Sequence, residues 1–75
     1  MRNLTSVNYL NHTIVITIEN DLANCEEHSH TYIELAYTVS GKAVHTLNGY
    51  DNIISSGDYV IINPGDVHNY KKMGN

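Results

Sequence analysis

Residues 28 to 34 read His-Ser-His-Thr-Tyr-Ile-Glu, two imidazoles and a carboxylate close together in a chain otherwise poor in charge. Imidazole and carboxylate donors suit Zn, Ni, Fe, Mn or Cu, and the ligand types alone do not choose among them. Side chains alternate along a strand, so His28 and His30 would share one face about 6.5 Å apart and could converge on one ion. Glu34 has the same parity, but an extended chain would carry it about 13 Å past His30. A shared site therefore requires the chain to bend or to change strands between them. His68, just after Asn63-Pro64-Gly65-Asp66, is the candidate to approach from a neighbouring strand and complete a set of three histidines and one glutamate.

Each of these residues also has a plainer reading. Two histidines on a half-exposed strand, a solvent-facing glutamate and a polar residue beside a turn would carry the same letters. The parity argument favours an inward Glu34, and a buried carboxylate needs a partner. His12 and His45 have no companion at a useful spacing and read as ordinary polar positions. Cys25, three residues before His28, reads as a small hydrophobe or loop thiol rather than a ligand. The six tyrosines read as core and interface residues with a polar tip. Tyr32 and Tyr37, which flank Glu34, are the two placed to touch a small molecule.

The elements that must position these groups are strands. No window keeps apolar residues at helical spacing over three turns. Thr13 to Ile18 is rich in β-branched residues and is closed by Asn20-Asp21; Tyr32 to Val39 forms a second run, interrupted at Ser40-Gly41. Ala43 to Leu47 and Tyr50 to Ile54 are joined by Asn48-Gly49, among the strongest short-range hairpin signals. Tyr59 to Ile62 is a short apolar strand stopped by Asn63-Pro64-Gly65-Asp66, and Val67 to Tyr70 begins another. Short strands separated by turns predict an all-β sandwich or barrel.

With 75 residues the chain makes one domain, over residues 1 to 75, whose core needs help from metal, oligomerisation or further chain. A disulfide is excluded, since Cys25 is the single cysteine. Four basic against eight acidic residues give a net charge of −4, the wrong sign for gripping phosphates, so no nucleic acid is expected on this segment. No apolar run is long enough to span a membrane, and the lone thiol in an acidic chain points to a reducing, cytoplasmic setting. The sequence ends just as a strand begins. That predicts an N-terminal piece of a longer protein, or a barrel completed by a partner chain.

Several fixed intervals agree with one family. His28, His30, Glu34 and Gly41 match the second half of the pattern G-x5-H-x-H-x3,4-E-x6-G. Gly57, Gly65 and His68 match G-x5-P-x-G-x2-H-x3-N, with Asn63 where proline is usual and Lys72 at the closing asparagine. Over about residues 22 to 72 the chain resembles a cupin. The resemblance implies a small jelly-roll β-barrel or sandwich in which the paired histidines and the glutamate sit on consecutive strands. It implies His28, His30, Glu34 and His68 as ligands of one divalent transition metal.

A narrower likeness lies in Tyr32 to His45 and in Gly57 to Tyr70, whose wording, including the shifted Asn-Pro-Gly, resembles the N-terminal sensing domains of AraC-type transcription regulators. That likeness implies a small-molecule effector, a homodimer, and a DNA-reading domain outside these residues. The alternative it leaves open is a small metal-dependent cupin enzyme of isomerase or dioxygenase type.

Overall fold

The computed structural model describes residues 2 to 74. Eight strands follow one another: β1 (Arg2–Tyr9), β2 (His12–Glu19), β3 (Cys25–His28), β4 (Ile33–Thr38), β5 (Lys42–Leu47), β6 (Tyr50–Ser55), β7 (Tyr59–Ile62) and β8 (His68–Lys72). They form two four-stranded sheets, β1-β2-β4-β7 and β3-β8-β5-β6. The all-β expectation holds, and no helix among the described residues is long and apolar enough to cross a membrane.

The β5–β6 hairpin turns at Asn48-Gly49, both with positive φ, as the two-residue turn matched to strand twist requires. Two strands escape the sequence reading. β1 (RNLTSVNY) lacks apolar alternation because all of it is exposed, and it pairs with β2 through Leu10-Asn11, whose positive φ values carry no glycine signal. β3 is only the four residues CEEH. It is held by β8 in antiparallel register, His28 opposite His68, with an irregularity between Cys25 and His28.

The chain changes sheets repeatedly. β2 runs parallel to β4, Val15 opposite Glu34 and Thr17 opposite Ala36, while β3 between them belongs to the other sheet. Gly41 makes one of these crossings feasible. Its φ is +99°, and a Cβ there would lie 2.4 Å from the Leu22 backbone nitrogen. Only glycine accepts both the left-handed conformation and the close approach. Leu22 N–H then donates to Ser40 O at 3.0 Å.

Alternation decides what enters the space between the sheets. Leu22, Ala43, Ile54 and Tyr70 form an apolar cluster, with Cys25 and Val60 packed against it. The same inward rows also bury Thr17, Glu19, Glu34, Thr38, His45 and His68. For so short a chain that is a polar interior, and its polar groups must be satisfied there.

Candidate functional site

His28, His30 and His68 come together from three places. His28 is the last residue of β3, His30 lies in the connection beyond it, and His68 opens β8. One ligand atom from each lies within 4.8 Å of the others. The expected shared strand for His28 and His30 is thus corrected: β3 ends at His28. The bend required between His30 and Glu34 is present as the passage from one sheet to the other.

The Pro-Gly turn fixes this geometry. Asp66 N–H donates to Asn63 O at 3.0 Å, and Gly65 between them has φ +84°, the arrangement of a turn with proline second and glycine third. Gly65 N–H donates to the His30 carbonyl at 2.9 Å, so one turn holds the His30 loop and launches β8 with His68. The Asp66 carboxylate accepts from Asn48 Nδ2 at 3.0 Å and Asn63 N–H at 2.8 Å. These bonds hold its carboxyl below the usual range.

Glu34 is 2% exposed and divides its two oxygens. Oε2 accepts from Thr17 Oγ1 at 3.0 Å and from Arg2 Nη2 at 3.4 Å, while Arg2 Nε also reaches Glu19 at 2.6 Å. Oε1 faces the imidazoles, 2.9 Å from His30 Nε2 and 4.0 Å from His68 Nε2. A buried carboxylate is tolerable here because each oxygen is paired.

The ring nitrogens test whether a metal fits. His28 Nδ1 lies 2.8 Å from the Glu26 carbonyl, which leaves Nε2 free to ligate. His30 Nδ1 lies 2.9 Å from the Tyr32 carbonyl. Both His30 nitrogens thus face oxygen acceptors, a demand met by a doubly protonated ring or by a cation between Nε2 and Glu34. His68 Nε2 is buried and has no hydrogen-bond partner among the described residues. An orphaned imidazole nitrogen between two other imidazoles and a carboxylate fits a transition metal, whose histidine ligands are oriented through their second nitrogens.

His45, read from sequence as an ordinary polar position, is buried, and its Nε2 lies 3.2 Å from His68 Nδ1. When His68 donates that bond, its Nε2 lone pair is the one directed at the cluster. Burial lowers the pKa of His45. His68 is pushed down to about 4, by burial first and then by repulsion from His28, with Glu34 opposing. Both rings are therefore neutral at pH 7, the form a metal requires. The signal that could have found His45 is its separation of two residues from Ala43 on one strand, which puts both side chains on the same, inward face.

Tyr32 stacks on His30, with ring centroids 4.0 Å apart and planes within 4°. Tyr37 has odd parity on β4 and is exposed on the outer face, away from Glu34. Cys25 Sγ approaches His28 Nδ1 at 3.6 Å, and burial raises the pKa of its thiol, disfavouring the thiolate that would ligate. A cavity of about 220 Å³ lies against Arg2, Glu19, Leu22, Cys25 and Tyr70. The Tyr70 hydroxyl beside it is buried without a partner among the described residues, and burial raises its pKa.

A family profile described as the cupin domain matches residues 15–75. The chain belongs to the cupin family. No curated protein and no solved structure gives a match. The cupin assignment agrees with the two-sheet architecture and with the site: the intervals that relate the histidines in sequence become the turn and sheet crossing that gather them. Within this cupin, Arg2 and His45 are contributions of its own register that the spacing pattern does not mention.

Proposed function

We propose that this cupin is the effector-binding, dimerising sensor domain of an AraC-type transcription regulator working in the cytoplasm. One divalent transition metal is held by His28, His30, Glu34 and His68. The observation that carries the metal site is the orphaned His68 Nε2 among two further imidazoles and a carboxylate; the small cavity lined by Arg2, Cys25 and Tyr70 is the candidate effector space. Apart from His68 Nε2, the polar groups around Glu34 are engaged in holding one another. Glu34 is committed to Arg2, Thr17 and His30, which suits binding and positioning better than proton transfer. The wording of residues 32 to 45 and 57 to 70 supports the regulator reading over other cupin roles.

When bound, the metal supplies a Lewis-acidic point for a ligand oxygen or nitrogen. The chain's own residues do the rest: His45 orients His68, Thr17 and Arg2 hold Glu34, and Tyr70 with Arg2 and Cys25 lines the cavity open to an effector. An effector signals only if it binds one conformation or assembly better than another. The second reading is a metal-dependent isomerase or dioxygenase, favoured by the same donor set, because three imidazoles and one carboxylate leave coordination positions open on an octahedral ion.

The test is elemental analysis of protein purified without a nickel column, with melting measured in the presence and absence of chelator. The expected result is about one equivalent of metal and a melting temperature lowered by chelator in the native protein. His30→Ala should melt lower and no longer respond to chelator. Identical melting of both proteins under both conditions refutes the metal site. Metal-loaded protein that turns over a substrate from a broad panel establishes the enzyme instead.

A further inference from the structure

The outer face of the sheet β1-β2-β4-β7 is unlike that of its partner sheet. Register places Ile14 beside Val7 and Ile33, Ile16 beside Leu35, and Ile18 beside Tyr37. It continues with Leu35 beside Ile61 and Tyr37 beside Tyr59. These residues are the odd or even partners of the buried row, so they point away from the interior. Only neighbouring strands shade them: Ile14, Ile16, Ile18, Ile33 and Leu35 are half-buried, and Val7, Tyr37, Tyr59 and Ile61 are exposed. The outward rows of β1, β2, β4 and β7 contain no Asp, Glu, Lys or Arg. On the other sheet the outward rows carry Lys42, Lys71 and Asp51 among Val44, Thr46 and Ile53.

An antiparallel sheet that faces water on one side alternates apolar and polar residues, as the second sheet does; a strand apolar on both faces is one covered on both. The run Ile14-Val15-Ile16-Thr17-Ile18 is of the latter kind. We infer that this face is the contact between two copies of the chain, paired about a two-fold axis as sheet on sheet. The inference rests on the dimerising part of the proposed function and is independent of effector and metal.

Three arguments select a second copy as occupant. The partner must be flat, uncharged and apolar opposite β2, β4 and β7, with β1 adding only the neutral Asn3 and Thr5 beside Val7, and this chain presents such a face. With a net charge of −4, two copies repel unless they meet where neither carries charge, and this is such a face; an anionic lipid surface would repel the rest of the molecule. The size also fits. The four strands hold 26 residues, which at about 3.4 Å per residue and about 4.8 Å between strands project to about 420 Å² per copy. Two such faces, about 850 Å² in projection and more with side-chain relief, reach the lower bound of a specific interface, about 1,000 Å².

Sedimentation equilibrium on the native chain, Ile61→Glu, Tyr59→Ser and the opposite-face control Ile53→Glu tests the assignment, with circular dichroism checking the fold of each. A native dimer, a folded monomer for Ile61→Glu and an undisturbed dimer for Ile53→Glu are expected, with the dissociation constant raised about 100-fold or more by the buried charge. Should Ile61→Glu not fold, Tyr59→Ser, exposed and mild, still reads the face and is expected to weaken association about tenfold. A native dimer equally stable in Ile61→Glu and Tyr59→Ser overturns this face while leaving dimerisation standing. A native monomer at about 100 μM overturns both. Effector and metal binding, measured separately, are untouched by either outcome.

Discussion

At one end of the interior Leu22, Ala43, Ile54 and Tyr70 pack as hydrocarbon around a single unused hydroxyl. At the other, β2, β4, β5 and β8 turn Thr17, Glu34, His45 and His68 toward one another. The apolar end gains stability by excluding water and is indifferent to pH. The polar end gains little from burial and depends on each group keeping its partner. The contrast teaches where the fold holds its stability and where it places chemistry, although β5 and β8 contribute to both ends: Ala43 and Tyr70 to one, His45 and His68 to the other.

The strongest way to break the polar end is to remove its hub. Glu34→Ala leaves Arg2, Thr17 and His30 without their shared acceptor and is expected to cost about 3–5 kcal/mol, a large part of the roughly 4–11 kcal/mol available to a domain of this length. Urea denaturation measures it, and a loss below about 1 kcal/mol would show that water replaces the carboxylate at little cost. At the apolar end Leu22→Ala is expected to cost about 2–5 kcal/mol, read by the same titration. Its loss should be the same at pH 5 and pH 8.

Acid sharpens the difference between the ends. In chelated protein His68 titrates at about 4 when folded and about 6.5 when unfolded. The unfolded chain therefore takes up the proton first, so this contribution is complete above about pH 6.5 and is lost as pH falls toward about 4. The slope is at most about 1.4 kcal/mol per pH unit for one proton. Denaturant midpoints across that window should show it, and His68→Ala should flatten it while Leu22→Ala should not. The smallest effect belongs outside both ends. Thr46→Ala deletes the exposed bond to Asp51 across the β5–β6 hairpin and should change stability by less than about 0.5 kcal/mol.

What could be read in the sequence divides along the same physical line. Residues related by short intervals were legible: the Asn48-Gly49 hairpin, the Pro64-Gly65 turn, and the family spacing of His28, His30, Glu34 and His68. Residues that meet only through register across sheets were not. Arg2 and Thr17 reach Glu34 from two other strands, and His45 reaches His68 because β5 pairs with β8. Nothing in a single strand's alternation says which strand will lie opposite. Tyr37 was drawn toward the site by its nearness to Glu34 in sequence, but an odd separation on a strand puts neighbours on opposite faces. β1 stayed hidden because an all-exposed edge strand has no apolar face to display.

The pairing of β3 with β8 sets a timetable for synthesis. β1 and β2 can close as a local hairpin soon after both are made, but β3 must wait about forty residues for its partner strand, a delay of about 2–8 s at ordinary rates of translation. Until then His28 and His30 hang on an unpaired, acidic ribbon with no third imidazole to join. A nascent chain released early would carry half of the site and none of its geometry, so the cluster forms only when β8 has been delivered.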